Sequence, residues 1–407
     1  MTHPSTIAAP ALHRQRVRRF RLLVFSSLFP NPRQPVHGVF VENRLRHLLA
    51  SGEVEARVVA PVPWFPSAHP LFGRWAVFAG VPDAETRQGL EIRHPRYPVI
   101  PKVGMGIAPT LMYLAAKKLV ARLRAEQDFD LIDAHYVYPD GVAAALLARE
   151  CGKPFVVTAR GTDINDSPRF PLPRAQIRWA MGQAAGCIAV CDALKRRMVE
   201  LGVDEAKVRV LRNGVDLARF QPRDRAAARA ELGLTGTVLL SVGLLIERKG
   251  HHLVIEALPS LPGVTLVIAG DGPERATLAA LATRLGVSDR VLFLGLVPHE
   301  RLAHVYSAAD ALVLASSREG WANVLLESMA CGTPVAATDV WGTREAVGAP
   351  EAGVLIGERS AAGVVKGVLA LLAAPPDRAA TRRYAEIFDW DATTRGQLDL
   401  FASILKA

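Results

Sequence analysis

The residues of this chain best suited to chemistry are two carboxylates, a pair of adjacent cations and one histidine. Residues 312–347, LVLASSREGWANVLLESMACGTPVAATDVWGTREAV, carry Glu319 and Glu327 with seven residues between them. The pattern predicts an apolar strand at 312–315, a polar loop at 316–319, a helix from about Ala322 to Cys331, a Gly-Thr-Pro turn and a second strand. Glu319 then lies in the loop and Glu327 on the second helical turn, in one crevice at different depths. Eight helical residues rise about 12 Å, which is wide for an acid and base pair flanking one bond. The two read better as separate hydroxyl clamps, since a carboxylate offers two acceptor oxygens to a vicinal diol. They read equally as solvated surface charges. Between them Asn323, Val324 and Leu325 present unpaired backbone N–H groups at a helix start, which suits a phosphate.

Further along the same logic, LLSVGLLIERKG at 239–250 ends a strand at Gly243 and sets Arg248 and Lys249 just before Gly250 and a helix. Adjacent cations at such a place make a polyphosphate site or a solvated basic loop. Val297, in GLVPHE, either packs on a flat base or merely precedes a helix at Pro298. IAGDGP at 268–273 lacks the spaced glycines of a dinucleotide fingerprint. Three loops in the first half carry reactive side chains: Ser26 to Val41 with Gly38 at a helix start, Ala134 to Gly141 with His135, and Thr158 to Asn165 with Arg160 and Asp163. His135 directly follows an apolar strand and is expected to point into the crevice. Arg160 and Asp163 are expected either to pair with each other or to read a polar acceptor.

The elements that position these groups alternate strand and helix. Strands are predicted at 21–26, 54–60, 130–134, 154–158, 186–190 and 207–210, then at 238–242, 265–269, 291–294, 312–315, 334–337 and 353–355. Parallel sheets covered on both faces follow. We expect an α/β chain of two doubly wound, Rossmann-like domains facing a cleft, at 21–212 and 213–389. A basic arm at 1–20 is expected to be disordered, and a helix at 390–407 to follow the second domain.

Bulk properties limit the partners. The 407 residues hold 49 basic and 39 acidic side chains, a net charge of +10 spread along the chain. This favours anions, whether phosphorylated substrates or an anionic membrane face, over nucleic acid, for which no aromatic-interleaved basic motif appears. Arg14, Arg16, Arg18, Arg19 and Arg21, with Lys117, Lys118, Arg122 and Arg124, are the candidate membrane contacts. Cys151, Cys187, Cys191 and Cys331 form no disulfide framework, so a reducing compartment is expected. Cys187 and Cys191, four apart in one predicted strand, are too far apart to share a metal or a bridge. No window is long and apolar enough to span a membrane, and the apolar run after Arg18 and Arg19 stops too soon for an export signal.

Five blocks of the second half, VGLLIERKGHHLVIEAL, VIAGDGPER, FLGLVPHERLAHVYSAADALVLAS, REGWANVLLESMACGTPVAATDVWGTREAV and NGVD at 213–216, resemble glycosyltransferase family 4, the retaining enzymes of the GT-B fold. PNPRQPVHGVFVEN, YPDGVAAALLA and ARGTDIN in the first half resemble the branch containing teichuronic acid and other cell-envelope polysaccharide transferases. The resemblance implies a nucleotide diphosphosugar donor, an acceptor hydroxyl on a glycan or lipid-linked chain, no metal or other cofactor, and a cytoplasmic protein peripheral to the inner face of the membrane. It implies that Glu327 binds the ribose, Glu319 faces the donor sugar, and Asn323, Val324 and Leu325 contact sugar and phosphate. By the same resemblance Lys249 meets the diphosphate, His135 lies near the anomeric centre, and Gly38 belongs to a loop over the phosphates. The final helix is expected to cross back to the first domain. One position departs: Leu244 stands where the family carries an arginine, and Arg248 is the candidate replacement. Competing readings are an epimerase or hydrolase of the same fold, a binding protein without catalysis, and a nicotinamide oxidoreductase, the last disfavoured by the missing glycine fingerprint.

Overall fold

The computed structural model describes residues 19–99 and 104–406. Ten strands belong to the first half: β1 (Phe20–Phe25), β2 (Val54–Val59), β3 (Val62–Trp64), β4 (Ala84–Arg87), β5 (Leu90–Arg93), β6 (Arg96–Pro98), β7 (Leu131–His135), β8 (Phe155–Ala159), β9 (Gly186–Ala189) and β10 (Val208–Val210). Eight of them form one sheet in the order β10-β9-β8-β7-β1-β2-β5-β4, while β3 and β6 pair separately. All neighbours in the large sheet run parallel except β4 and β5, a hairpin turned by Gln88 and Gly89, both with positive φ. β7 and β8 are buried at every residue, which is why they read as unbroken apolar runs.

The second half contributes β11 (Thr237–Val242), β12 (Val264–Ala269), β13 (Val291–Gly295), β14 (Ala311–Leu314), β15 (Val335–Thr338) and β16 (Gly353–Ile356). They make an all-parallel sheet in the order β13-β12-β11-β14-β15-β16. This is the doubly wound order whose topological switch, between β11 and β14, opens a crevice at the strand carboxyl ends. The two sheets are the centres of two α/β domains.

The helix Trp390–Lys406 returns to the first domain. Its Leu398, Leu400 and Phe401 are buried with Leu22, Val24, Leu45 and Leu48. Phe401 meets the ring of Phe20 edge-on at 6.2 Å, and Trp390 stacks on His47 at 5.1 Å.

Three expectations need correcting. Most of the basic arm lies outside the described residues, but β1 already begins at Phe20, so 19–20 are sheet margin. Cys191 is not in the strand with Cys187: β9 stops at Ala189, and Cys191 caps the helix Asp192–Glu200, its sulfur accepting the N–H of Leu194 at 3.4 Å. The strands β3 to β6 and the helix Arg74–Ala79 were not anticipated. No described helix is long and apolar enough to cross a membrane.

Candidate active site

Between the domains lies a cavity of about 490 Å³, lined by Phe40, Tyr136 and Arg160 from one side and by Gly243, Leu244, Arg248, Lys249, Glu319, Trp321, Asn323 and Val324 from the other. Its second-domain wall is the loop after β11 and the loop after β14, the two edges of the switch point. Gly250, at φ 73, lets these loops meet, because a Cβ there would sit 2.0 Å from the carbonyl oxygen of Ala315.

Lys249 Nζ donates to Glu319 Oε1 at 2.6 Å, with side chains 15% and 7% exposed. Ser316 Oγ donates to the same oxygen at 2.7 Å, and Arg248 stands 3.9 Å away while donating to the carbonyl of Arg318. Arg248 therefore reaches the cleft, and Leu244, 58% exposed, lines it where a cation was expected. The pair is fixed by two loops, and a bound diphosphate would find an ammonium, a guanidinium and the free N–H groups of the helix Asn323–Ala330. That helix has no side-chain cap. Asn323 Oδ1 accepts from Asn213 Nδ2 at 3.3 Å. Leu325 is buried and, contrary to expectation, its N–H is not free: it donates to the Ala322 carbonyl at 3.0 Å, which leaves the N–H groups of Asn323 and Val324 as the donors at this helix start.

Glu327 does not share this lining, contrary to the single crevice expected. Tyr306 OH donates to its Oε2 at 2.8 Å, and His299 Nε2 lies 3.9 Å from its Oε1. Burial raises the pKa of this carboxyl, opposed by His299, the Tyr306 hydroxyl and Arg219. Val297 lines a separate pocket of about 200 Å³ with Pro298, His304 and Glu231.

The first-domain residues fall differently from expectation. His135 is 1% exposed and does not face the cleft. β7 runs through it, and at Tyr136, with φ 79, the backbone turns so that Tyr136 lines the cleft instead. An Arg160 guanidinium N–H donates to His135 Nδ1 at 2.8 Å, so the ring proton resides on Nε2, which faces Asp133 at 3.5 Å. Burial lowers the histidine's pKa against the pull of Asp133, and the ring is neutral. Asp133 also accepts from Gln397 at 2.8 Å, and Gln397 accepts from Arg44 at 2.9 Å, which ties the final helix to the floor of the cleft. Arg160 extends over Phe40, 5.2 Å from the ring centre, and donates to Asn213 at 3.0 Å.

Asp163 neither pairs with the Arg160 side chain nor is free to read an acceptor. Its carboxylate takes the backbone N–H groups of Val137 at 2.7 Å, Gly161 at 2.7 Å and Arg160 at 3.1 Å, and it is fully buried. Gly38 is required by the chain itself: at φ 69, a Cβ there would lie 2.3 Å from the backbone of Leu28, and it is absent from the cavity lining. Asp140 ties two first-domain loops together. It is buried and accepts the N–H and, at 3.0 Å, the hydroxyl of Ser27. Burial raises its pKa to about 7.

The domains touch through glycine. A Cβ on Gly320 would lie 2.2 Å from the carbonyl oxygen of Arg160, and one on Gly342 3.2 Å from the Cβ of Cys191. Glu345 of the second domain accepts the N–H groups of Asp192 at 2.8 Å and Ala193 at 3.3 Å, and pairs with Arg212. Arg318 pairs with Asp166 across the same seam, and Trp321 donates to the carbonyl of Asn213 at 3.0 Å. Sequence reasoning missed Tyr136, Phe40 and Trp321; only Asn213 carried a signal, as the first residue of NGVD. Among the described residues, no three His, Cys, Asp or Glu side chains gather to hold a metal.

Two facing doubly wound domains, with a cleft at the carboxyl ends of their strands and a last helix crossing back, define the GT-B architecture. The family model described as Glycosyltransferase Family 4 matches residues 38–219, and that described as Glycosyl transferases group 1 matches 223–388. The chain belongs to the family 4 glycosyltransferases. It is 34% identical over 289 residues to D-inositol 3-phosphate glycosyltransferase of Mycobacterium tuberculosis (strain ATCC 25618 / H37Rv), a match over 65% of this chain and 60% of the relative. The chain thus matches less than two thirds of that relative's length. Among solved structures, sucrose-phosphate synthase from Thermosynechococcus elongatus aligns with TM-score 0.78 at 21% identity, over 96% of this chain and all of the other (100%). Anabaena HepE in complex with UDP and glucose aligns with TM-score 0.72 at 20% identity, over 95% of this chain and 100% of the other. At these identities the structures speak for the fold.

Proposed function

We propose that this chain transfers a hexosyl group, with retention, from a nucleotide diphosphosugar to a hydroxyl of a glycan or lipid-linked acceptor, in cell-surface polysaccharide synthesis. The observation that carries this reading is the Lys249–Glu319 pair, set in an interdomain cavity beside an uncapped helix start. The UDP and glucose bound to Anabaena HepE, a protein of the same fold, support a donor of this class. As the bond from the anomeric carbon to the diphosphate lengthens, negative charge grows on the leaving phosphate. Lys249, Arg248 and the N–H groups at Asn323 and Val324 stabilise it in a site shielded from water. Glu319 orients Lys249 and holds a donor-sugar hydroxyl. Glu327 holds the ribose. Chemistry of this kind needs no divalent ion. His135 acts through Arg160 rather than by touching the donor.

Turnover of a panel of nucleotide sugars by Lys249→Ala and Glu327→Ala tests the assignment. Losses of at least about 100-fold are expected, the size typical of removing one transition-state contact; near-normal rates in both variants sink it. Release of free sugar without acceptor would point to a hydrolase.

A cytoplasmic protein held at an anionic membrane face completes the reading. Met105, Ile107, Leu114, Phe170 and Leu172 are each 44–55% exposed near Lys117, Lys118 and Arg122. Sedimentation with anionic vesicles at low salt is expected and should fade at high salt. Absence of binding at low salt removes the membrane from the proposal.

A further inference from the structure

Glu327 stands on the helix Asn323–Ala330, four residues beyond the start that faces the phosphate site and outside the cavity that a diphosphate would fill. Four helical residues rise about 6 Å, a step comparable to that between a nucleoside's 5′-phosphate and its ribose hydroxyls. The two oxygens of this carboxylate are not equivalent. Oε2 accepts from Tyr306 OH at 2.8 Å. Oε1 receives no hydrogen bond from a described residue and faces His299 Nε2 across 3.9 Å. That gap is too wide for a hydrogen bond, yet one hydroxyl oxygen about 2.8 Å from each atom fits between them, accepting from the ring and donating to the carboxylate.

The histidine is set for such a contact. Arg219 Nη1 donates to His299 Nδ1 at 2.8 Å, and a guanidinium can only donate, so the ring proton resides on Nε2, at the gap. Phe220 meets the imidazole edge-on at 5.3 Å and the Tyr306 ring at 6.0 Å, which fixes both side chains from behind. The His299 side chain is 28% exposed and that of Glu327 14%, so the gap opens to solvent. A pair serving stability alone gains most in hydrogen-bonded contact. Here one edge of the ring is held by an arginine and the other stands apart from its acid.

We propose that His299 is a specificity-determining residue: with Glu327 Oε1 it grips one ribose hydroxyl of the bound nucleotide, 2′ or 3′, and Arg219 is the positioning residue that keeps the Nε2 proton aimed at that hydroxyl. The inference rests on the nucleotide-donor reading above and adds to it a second partner for the ribose and a choice of ribonucleotide over its deoxy form. When the hydroxyl is missing, the N–H and the carboxylate oxygen face each other unbonded on partly buried ground, and a site built to bond a hydroxyl rejects the analogue that lacks it.

The test is calorimetric titration of the full chain with UDP, GDP and ADP, followed by the 2′-deoxy and 3′-deoxy forms of whichever binds tightest. Wild type should bind one of the two deoxy forms about 10-fold or more weakly than the ribonucleotide, which names the hydroxyl. In His299→Leu the ribonucleotide should weaken about 10-fold while that deoxy form keeps its affinity; a damaged scaffold would weaken both alike. His299→Gln, whose side-chain amide can place an N–H near the same point, should recover most of the preference. Arg219→Met should reduce the preference without weakening the deoxy form, and an unchanged preference there removes the arginine from the proposal. Equal wild-type affinity for all three forms, a wild-type preference retained in His299→Leu, or equal weakening of ribo and deoxy forms in that variant overturns it. No binding of UDP, GDP or ADP to the wild type would instead refute the donor reading on which the inference rests.

Discussion

Asp140 makes the first domain's stability depend on pH in a direction opposite to that of most carboxylates. In the unfolded chain it titrates near the ordinary value of about 3.9; in the fold, burial raises it to about 7. Between these values the native state holds a proton that the unfolded chain has released. The stability contributed by protonated Asp140 is therefore fully present below about pH 4 and is lost as the pH rises through about 7. The slope is about 1.4 kcal/mol per pH unit, so the change from pH 8 to pH 5 is about 3 kcal/mol. Asn in place of Asp keeps the shape, still accepts the Ser27 N–H and cannot ionise. Thermal melts of wild type and Asp140→Asn at pH 5, 6, 7 and 8 isolate the effect. The histidines His37, half-buried, and His135 and His251, buried, have pKa values that desolvation lowers, and they act alike in both proteins and cancel. The variant should be the more stable at pH 8, with the gap closing by about 6 to 12 °C at pH 5, taking about 2 to 4 °C per kcal/mol. Parallel Tm curves for the two proteins across this range would refute the reasoning.

Two other perturbations test the architecture. Gly320→Ala should force the domains apart, since its methyl would lie 2.2 Å from the Arg160 carbonyl oxygen. The radius of gyration by small-angle scattering should rise and turnover fall about 100-fold or more with Tm barely moved; unchanged scattering and activity would contradict the seam. Gln397→Leu strips a hydrogen-bond partner from both Arg44 and Asp133, whose side chains are buried. A loss of about 3 to 5 kcal/mol is expected in urea unfolding, the usual cost of leaving buried charge uncompensated, and a loss below about 1 kcal/mol would rule the network out as a support.

The central strands of both sheets were legible because each is buried on two faces and reads as an apolar run between turn residues. The strands β4 and β5 escaped because AETR and LEIR alternate with charge at a sheet edge. Around the second-domain loops, Glu319, Lys249 and Asn323 could be grouped because each lies on the short connection between a strand and the next helix or at that helix's start, so chain order determines their placement. His135 also ends a strand, yet the positive φ of the next residue sends Tyr136 into the cleft in its place, and no spacing rule encodes that. Asp163 was misread because its partners are backbone N–H groups, one of them 26 residues away in sequence. Gly320, Gly342 and Glu345 act across the seam, where residues far apart in sequence meet only after both domains have folded.

The return of the helix Trp390–Lys406 has a consequence for synthesis. About 180 residues separate Val210, which ends the first sheet, from Trp390, so at ribosomal rates of roughly 5 to 20 residues per second the nascent first domain waits about 9 to 36 s. Throughout that interval Phe20, Leu22 and Leu48 lack the Leu398, Leu400 and Phe401 that cover them in the finished protein. The first domain is thus made early and covered late, its apolar face staying open until the helix Trp390–Lys406 has been synthesised.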